Sequence, residues 1–443
     1  MTKRLLMVAN PFPPMASGGN NRLLRFLRHL PSYGWETTVL TARAEGPEPE
    51  PADVRIVRAA APNPERAYAL ARRLRRRASA SPASAPLQSA RLPDTLTSDE
   101  LPRDALNTSS NDATMSEIAR ATSRRAPFDR WLFVPDQYVG WIGPAVWQGR
   151  QLLQRERFDV IFSSCPRPSA HLTAAALARL SGLPWVADYR DPWTTNQFRR
   201  YPTVLHRAAH AGLEKIAVAQ AAAVTAVNEP ILADLRARFP ELTGRPTEVL
   251  PNGYDRDEPV DEVRLGPGFW LVHTGRLYGR DEQLRLFLEA FATLPNDVHV
   301  LFLGVAGSMI RARAQALSIS DRVHVEPYAP HRRALGYQRA ADVLVLLTGR
   351  QPESLSSKVF EYLIADKPIF AVTPRGSAAQ ELLDEAGASR CASPDEPLAG
   401  PLAQFVADAR EGHLGVRDER VVARYDAAML TCQLAELLDG LTG

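Results

Sequence analysis

Short apolar runs alternate with segments of helical period along most of this chain. Residues 5–9 are a continuous apolar run, NPFPPMASGGNNR follows as a glycine-containing loop, and residues 23–30 repeat apolar positions at helical spacing. Further strands are expected at 37–41, 160–163, 185–188 and 223–227, separated by helical stretches. A second series starts near residue 248 and runs through EVLPN, FWLVHTG, VHVLFLG, RVHVEPY, DVLVLL and KPIFAV. Strands that read as unbroken apolar runs, alternating with helices, predict parallel sheets covered on both faces. Two such series in tandem predict an α/β protein of two Rossmann-like lobes facing across a cleft. The linker is expected at 239–247, where FPELTGRPT gathers Pro, Gly and Thr.

Residues 59–115 interrupt the pattern. They are rich in Ala, Pro, Ser and Arg and poor in large apolar residues, which predicts a flexible insertion. Within it, ERAYALARRLRRRASA reads as a basic helix, and the aromatic stretch from Trp131 to Trp147 follows. Together they fit an anionic bilayer surface; a solvated charge run beside a partly buried aromatic loop fits equally well. Residues 417–441 read as a terminal helix with one apolar face. The expected domains are thus 1–245, 246–416 and a C-terminal helix over 417–443.

Composition narrows the class. With 443 residues, 45% hydrophobic and 23% charged, the chain has the make-up of a soluble globular protein too long for one core. No run approaches the roughly 18–20 apolar residues of a membrane span. The net charge of +3 is no nucleic-acid signature, and the basic run lacks interleaved aromatics, so nucleic acid is not an expected partner. Cys165, Cys391 and Cys432 are isolated, which suits reduced thiols in a cytoplasm. The expected location is cytoplasmic, with peripheral contact on the inner face of the plasma membrane left open. No G-x-G-x-x-G opens the first helix, which argues against NAD, and no His/Cys/Asp cluster has metal-ligand spacing.

The densest chemistry lies in PESLSSKVFEYLIADKPIFAV, residues 352–372. A helix starting near Ser357 would bury Val359, Phe360, Leu363 and Ile364. It would leave Glu353 in the preceding loop and Glu361 close behind unpaired amides suited to a phosphate. On a continuous helix the two carboxylates would sit about 80° apart. Alone, this spacing fits equally a Glu that complements the helix dipole beside a solvated loop Glu. HTGRLYGRDEQL, from residue 273, ends a strand in a glycine turn and places Arg276 and Arg280 at a helix mouth, a setting for a charged leaving group. In the first half, Gly18 and Gly19 follow the first strand, where backbone can approach a ligand. VADYRDPW, residues 186–193, brings Asp188, Arg190 and Asp191 to a strand end. Asp191 suits an acceptor base or a local cap. His171, at the start of an Ala-rich helix, reads as a packed or capping residue.

The wording SKVFEYLIADKPI, with Glu353 ahead of it and LPNGYD at 250–255, resembles the family 4 glycosyltransferases. ARLSGLPWVADYRDPWTTN is similar to a bacterial branch of that family carrying Arg-Asp-Pro-Trp. The resemblance covers nearly all of the chain outside 59–115 and implies the GT-B fold, with the last helix returning to the first lobe. It implies retaining transfer of a hexose-type sugar from a nucleotide-diphosphate sugar, without a metal or cofactor, to a glycan or lipid-linked saccharide acceptor in envelope or exopolysaccharide synthesis. By that resemblance Glu361 reads the ribose, Glu353 reads the donor sugar, and the amides of Ser357, Lys358 and Val359 cradle the diphosphate. Gly18, Gly19 and Arg190 then face the donor from the first lobe, and Tyr328 stands near the base. The family's usual Lys in the loop after Arg276 is missing, with Arg280 as the substitute, and Arg190 stands where many members have a His. Those departures leave room for a non-catalytic nucleotide-sugar-binding partner subunit, or for a nucleotide-sugar epimerase on the same fold.

Overall fold

The computed structural model describes residues 2–15, 17, 19–62, 133–196, 199–277, 281–305, 307–326, 328–349 and 355–443. Gly18, Arg280, Glu353 and most of the expected 59–115 insertion, basic run included, lie outside the described residues.

The first lobe is a seven-stranded parallel sheet of β1 (Lys3–Ala9), β2 (Trp35–Ala42), β3 (Arg55–Ala59), β4 (Val160–Cys165), β5 (Trp185–Tyr189), β6 (Ala223–Ala226) and β7 (Thr247–Val249). The order is β3-β2-β1-β4-β5-β6-β7. Central strands such as β1, β4 and β5 are buried along nearly their whole length, as their mostly apolar sequences require, with Ser163, Ser164 and Asp188 buried among them. Helix α1 (Asn20–His29) follows β1. Helices α2 (Val139–Arg155), α3 (Pro168–Ser181), α4 (Val204–Gln220) and α5 (Glu229–Arg238) complete the lobe.

The second lobe is a six-stranded parallel sheet of β8 (Phe269–Thr274), β9 (Val298–Leu303), β10 (Val323–Glu326), β11 (Val343–Leu347), β12 (Ile369–Val372) and β13 (Ser389–Ala392). Its order is β10-β9-β8-β11-β12-β13. Six helices interleave with or follow these strands: α6 (Asp281–Phe291), α7 (Gly307–Ala316), α8 (His331–Ala340), α9 (Ser357–Ile364), α10 (Ala378–Ala386) and α11 (Ala399–Glu411). Each lobe carries two apolar clusters, which sandwich its sheet. The two Rossmann-like lobes are those expected.

Three boundaries differ from the sequence reading. The strand in EVLPN, assigned above to the second series, is β7, and it pairs with β6 at the edge of the first sheet. The crossing between lobes therefore begins at Leu250, past the expected 239–247 linker. Ala59, expected to open the insertion, is a fully buried strand end in β3. The expected single helix over 417–441 breaks into α12 (Glu419–Ala423) and α13 (Ala427–Gly440), where Asp426 caps α13 by accepting from Ala428 N–H. Val421 and Val422 of α12 pack in the second lobe, whereas Leu430, Leu434 and Leu438 of α13 pack under the first. Of the aromatic stretch's described residues, Phe133 and Trp141 are buried, Tyr138 is half-buried and Trp147 is exposed. Among the described residues no helix is long and apolar enough to cross a membrane.

Candidate active site

The strand ends of the two lobes meet. Loops after β1 and β2 belong to the first lobe, and the loop after β10 leads into α8 of the second. Asn21 Nδ2 lies 3.2 Å from His331 Nδ1, and the Tyr328 hydroxyl donates to Glu48 across the same gap. Open α/β sheets bind ligands at this end.

Helix α9 begins at Ser357, as the sequence pattern predicts. Ser356 is its cap, accepting from Lys358 N–H at 3.4 Å. Val359, Phe360 and Leu363 are buried, so the amide end of the helix is fixed from below. Two bonds tie it to the end of β8: Tyr362 Oη accepts from Thr274 N–H at 2.9 Å, and Lys358 Nζ donates to Arg276 O at 3.0 Å. Gly275 permits this contact. Its φ is +83°, and a Cβ there would stand 2.5 Å from Lys358 Cε. Arg276 is exposed, and Ser357 and Lys358 are half-buried. The structure thus gathers Arg276, Ser357, Lys358 and Val359 around one helix N-terminus, a setting whose amides, dipole and cations favour an anion.

Glu361 is 8% exposed and lies on the face of α9 towards the first lobe. Its Oε1 is 3.7 Å from Arg25 Nη2 and 4.0 Å from His331 Nε2, while Gln338 Nε2 is 3.5 Å from its Oε2. Glu258 bonds both Arg25 and His331 at 3.1 Å. Burial works to raise the Glu258 pKa, but His331 and Arg25 pull it down to about 2. Burial works to lower that of His331, but Glu361 and Glu258 raise it.

In the first lobe, Gly19 N-caps α1 and touches the loop after β5. A Cβ on Gly19 would fall 1.8 Å from Arg190 Nη1, so the guanidinium occupies the space a side chain would need. Arg190 and Asp191 are half-buried beyond the end of β5. Asp188 does not reach the cleft as a free group. It is fully buried and accepts from Arg22 Nη2 at 2.9 Å, Ser164 Oγ at 2.7 Å and Thr225 Oγ1 at 2.8 Å. Burial would raise its pKa, yet Arg22 and these donors hold it below the usual carboxylate value. His171 is a packed core residue as expected: it is fully buried, Nδ1 is 2.8 Å from Ser163 Oγ, and burial lowers its pKa to about 4.

The structure adds residues that sequence reasoning missed. From α1, Arg22, Arg25 and Arg28 bond Pro251 O, Gly253 O and Asp255 in turn. A helix face repeating every three residues thus grips alternate positions of the LPNGYD linker. The spacing R-L-L-R-F-L-R was the available signal. Among the described residues, His29, Asp255 and Asp257 group three potential metal ligands, though Arg28 already pairs with Asp255.

Residues 109–258 match the family model described as Glycosyltransferase Family 4, and residues 266–410 match that described as Glycosyl transferases group 1. No curated protein matches the chain in sequence. Solved structures resemble it throughout. Sucrose-phosphate synthase from Thermosynechococcus elongatus is 16% identical at a TM-score of 0.62, covering 100% of this chain and 99% of that one. Anabaena HepE in complex with UDP is 15% identical at 0.56, covering 99% and 100%. WaaG, a glycosyltransferase involved in lipopolysaccharide biosynthesis, is 13% identical at 0.54, covering 99% and 100%. The matched stretches, one ending just past the first sheet and one confined to the second, and the two-lobed fold make this chain a glycosyltransferase of the GT-B type, similar to those of family 4.

Proposed function

We propose that the protein moves a sugar from a nucleoside diphosphate sugar to a glycan or lipid-linked saccharide, with retention of anomeric configuration. The observation that carries this reading is the meeting of the α9 amide end, Lys358 and Arg276 across Gly275. The leaving diphosphate gains negative charge as the glycosidic bond breaks. Amides and cations fixed at that point lower the barrier, the phosphate taking over the Lys358 and Val359 amides from Ser356. In this reading the amides of Ser357, Lys358 and Val359 bind the phosphates, Arg276 and Lys358 offset their charge, and Glu361 accepts from the ribose. Glu353 and Arg280, outside the described residues, keep the sugar-binding and cationic roles the resemblance implies. Gly19 lets first-lobe backbone approach the donor, Gly18, outside the described residues, keeps the same role by the resemblance, Arg190 approaches from β5, and Asp191 takes the acceptor proton or caps its own loop. The UDP in the HepE structure supports a nucleotide donor.

Thermal-shift binding of UDP, GDP, ADP and CMP and their sugars, wild type beside Glu361→Ala, tests the reading. A diphosphate-selective stabilisation weakened in the variant is expected; no stabilisation by any of them would refute it.

A further inference from the structure

Glu361 is surrounded in a way that its own lobe does not explain. Arg25 and His331 stand 3.7 Å and 4.0 Å from its Oε1, beyond the 2.7–3.2 Å of a good N–H···O bond. They attract the carboxylate without occupying its lone pairs. Their short bonds go to Glu258, at 3.1 Å from each, so Glu258 fixes where the two cations stand. Arg25 is further anchored by donating to Gly253 O at 2.6 Å. Beside them, Gln338 is 1% exposed and donates to Thr274 Oγ1 at 3.0 Å, while its Oε1 is buried with no hydrogen-bond partner among the described residues. Arg25, Glu258, Gln338 and Glu361 line one narrow crevice between the lobes. Gln338 Nε2 also reaches Glu361 Oε2 at 3.5 Å, so Glu361 Oε1 and Gln338 Oε1 are the two acceptors left without a short bond, and such buried acceptors call for hydroxyl donors.

We propose that Arg25 and His331, one from each lobe, are positioning residues for Glu361. They hold its carboxylate by charge at a distance, leaving its Oε1, and Gln338 Oε1 beside it, open to the ribose hydroxyls of the donor nucleotide. Because Arg25 lies on α1 and is bonded to the linker, ribose reading requires the first lobe to be docked on the second. This rests on the donor-site reading above.

The test is calorimetric titration of the full chain with UDP and 2′-deoxy-UDP, and with GDP and 2′-deoxy-GDP as a second pair. Wild type is compared with Glu361→Gln, Arg25→Gln, Arg25→Lys and His331→Gln, each checked for a cooperative thermal transition. Wild type should prefer the ribonucleotide. Arg25→Gln and His331→Gln should each lose about tenfold in ribonucleotide affinity, the loss expected when a charge-assisted contact worth about 1.4 kcal/mol goes. The ribo-to-deoxy ratio should fall towards that of Glu361→Gln, and Arg25→Lys should recover part of it. A merely structural role would lower the melting temperature and leave that ratio unchanged. A ratio that survives in both neutral variants would overturn this inference while leaving the donor site standing. A wild type that binds both sugars equally would overturn it as well. A wild type that binds neither pair would overturn the donor site and this inference together.

Discussion

Gly275→Ala puts the geometry of the phosphate-binding end to the test. The added methyl would stand 2.5 Å from Lys358 Cε and 3.0 Å from Nζ, and the backbone there has φ +83°. Left-handed backbone costs a non-glycine residue roughly 1–2 kcal/mol. Displacing Lys358 also breaks its bond to Arg276 O, worth about 1 kcal/mol at this solvent-exposed position. The summed loss of about 2–3 kcal/mol should lower the thermal midpoint by about 2–3 °C in a chain of this size. If Lys358 is a phosphate cation, nucleoside diphosphate affinity should fall about tenfold or more, since 1.4 kcal/mol is a factor of ten. The double mutant isolates the cause. Gly275→Ala combined with Lys358→Ala should bind no worse than Lys358→Ala alone, because one change acts through the other. The assay is calorimetry with UDP alongside a melting curve for each variant. Full affinity in Gly275→Ala, or strictly additive losses in the double mutant, would refute the reasoning.

Other outcomes follow from the same geometry. Asp188→Ala leaves Arg22 buried without its counter-charge, which should cost about 3–5 kcal/mol in urea unfolding, as breaking a buried ion pair does. Gly19→Ala should push the Arg190 guanidinium away and lower turnover, read as nucleotide release, while the melting temperature moves little. The lobe interface should respond to pH on both sides. The raised His331 pKa adds stability that is complete below its unfolded value of 6.5 and lost as pH rises through the folded value. The Glu258 pKa, lowered from 4.5 to about 2, adds stability that is complete above 4.5 and lost as pH falls towards 2. His331→Gln should flatten the alkaline arm of the stability–pH profile, and a profile unchanged by that substitution would contradict the His331–Glu258 bond.

Local signals in the sequence were strong where a single segment carries both pattern and chemistry. The start of α9 at Ser357 follows from a serine cap, a buried stripe and a following apolar strand, all within sixteen residues of one another. β1 and β4 each carry the short continuous apolar stretch, residues 5–9 and 160–162, that parallel central strands require. What was not legible depends on distant partners. β7 is three half-buried residues, and only its pairing with β6 assigns it to the first sheet. β3, RIVRA, sets only three apolar residues among two arginines at a sheet edge and carries little signal of its own. The break at Asp426 arises because α12 packs on one lobe and α13 on the other. Arg25, Glu258, His331 and Glu361 come from four separate segments, and Arg25 is 233 residues from Glu258. No periodicity within any one of them announces the cluster.

A crystal structure of the protein with bound UDP tests the central claim most directly. The account predicts the diphosphate within hydrogen-bonding distance of the Ser357–Val359 amides, flanked by Lys358 and Arg276, with the ribose hydroxyls on Glu361. A diphosphate bound elsewhere, or a ribose turned away from Glu361, would contradict it.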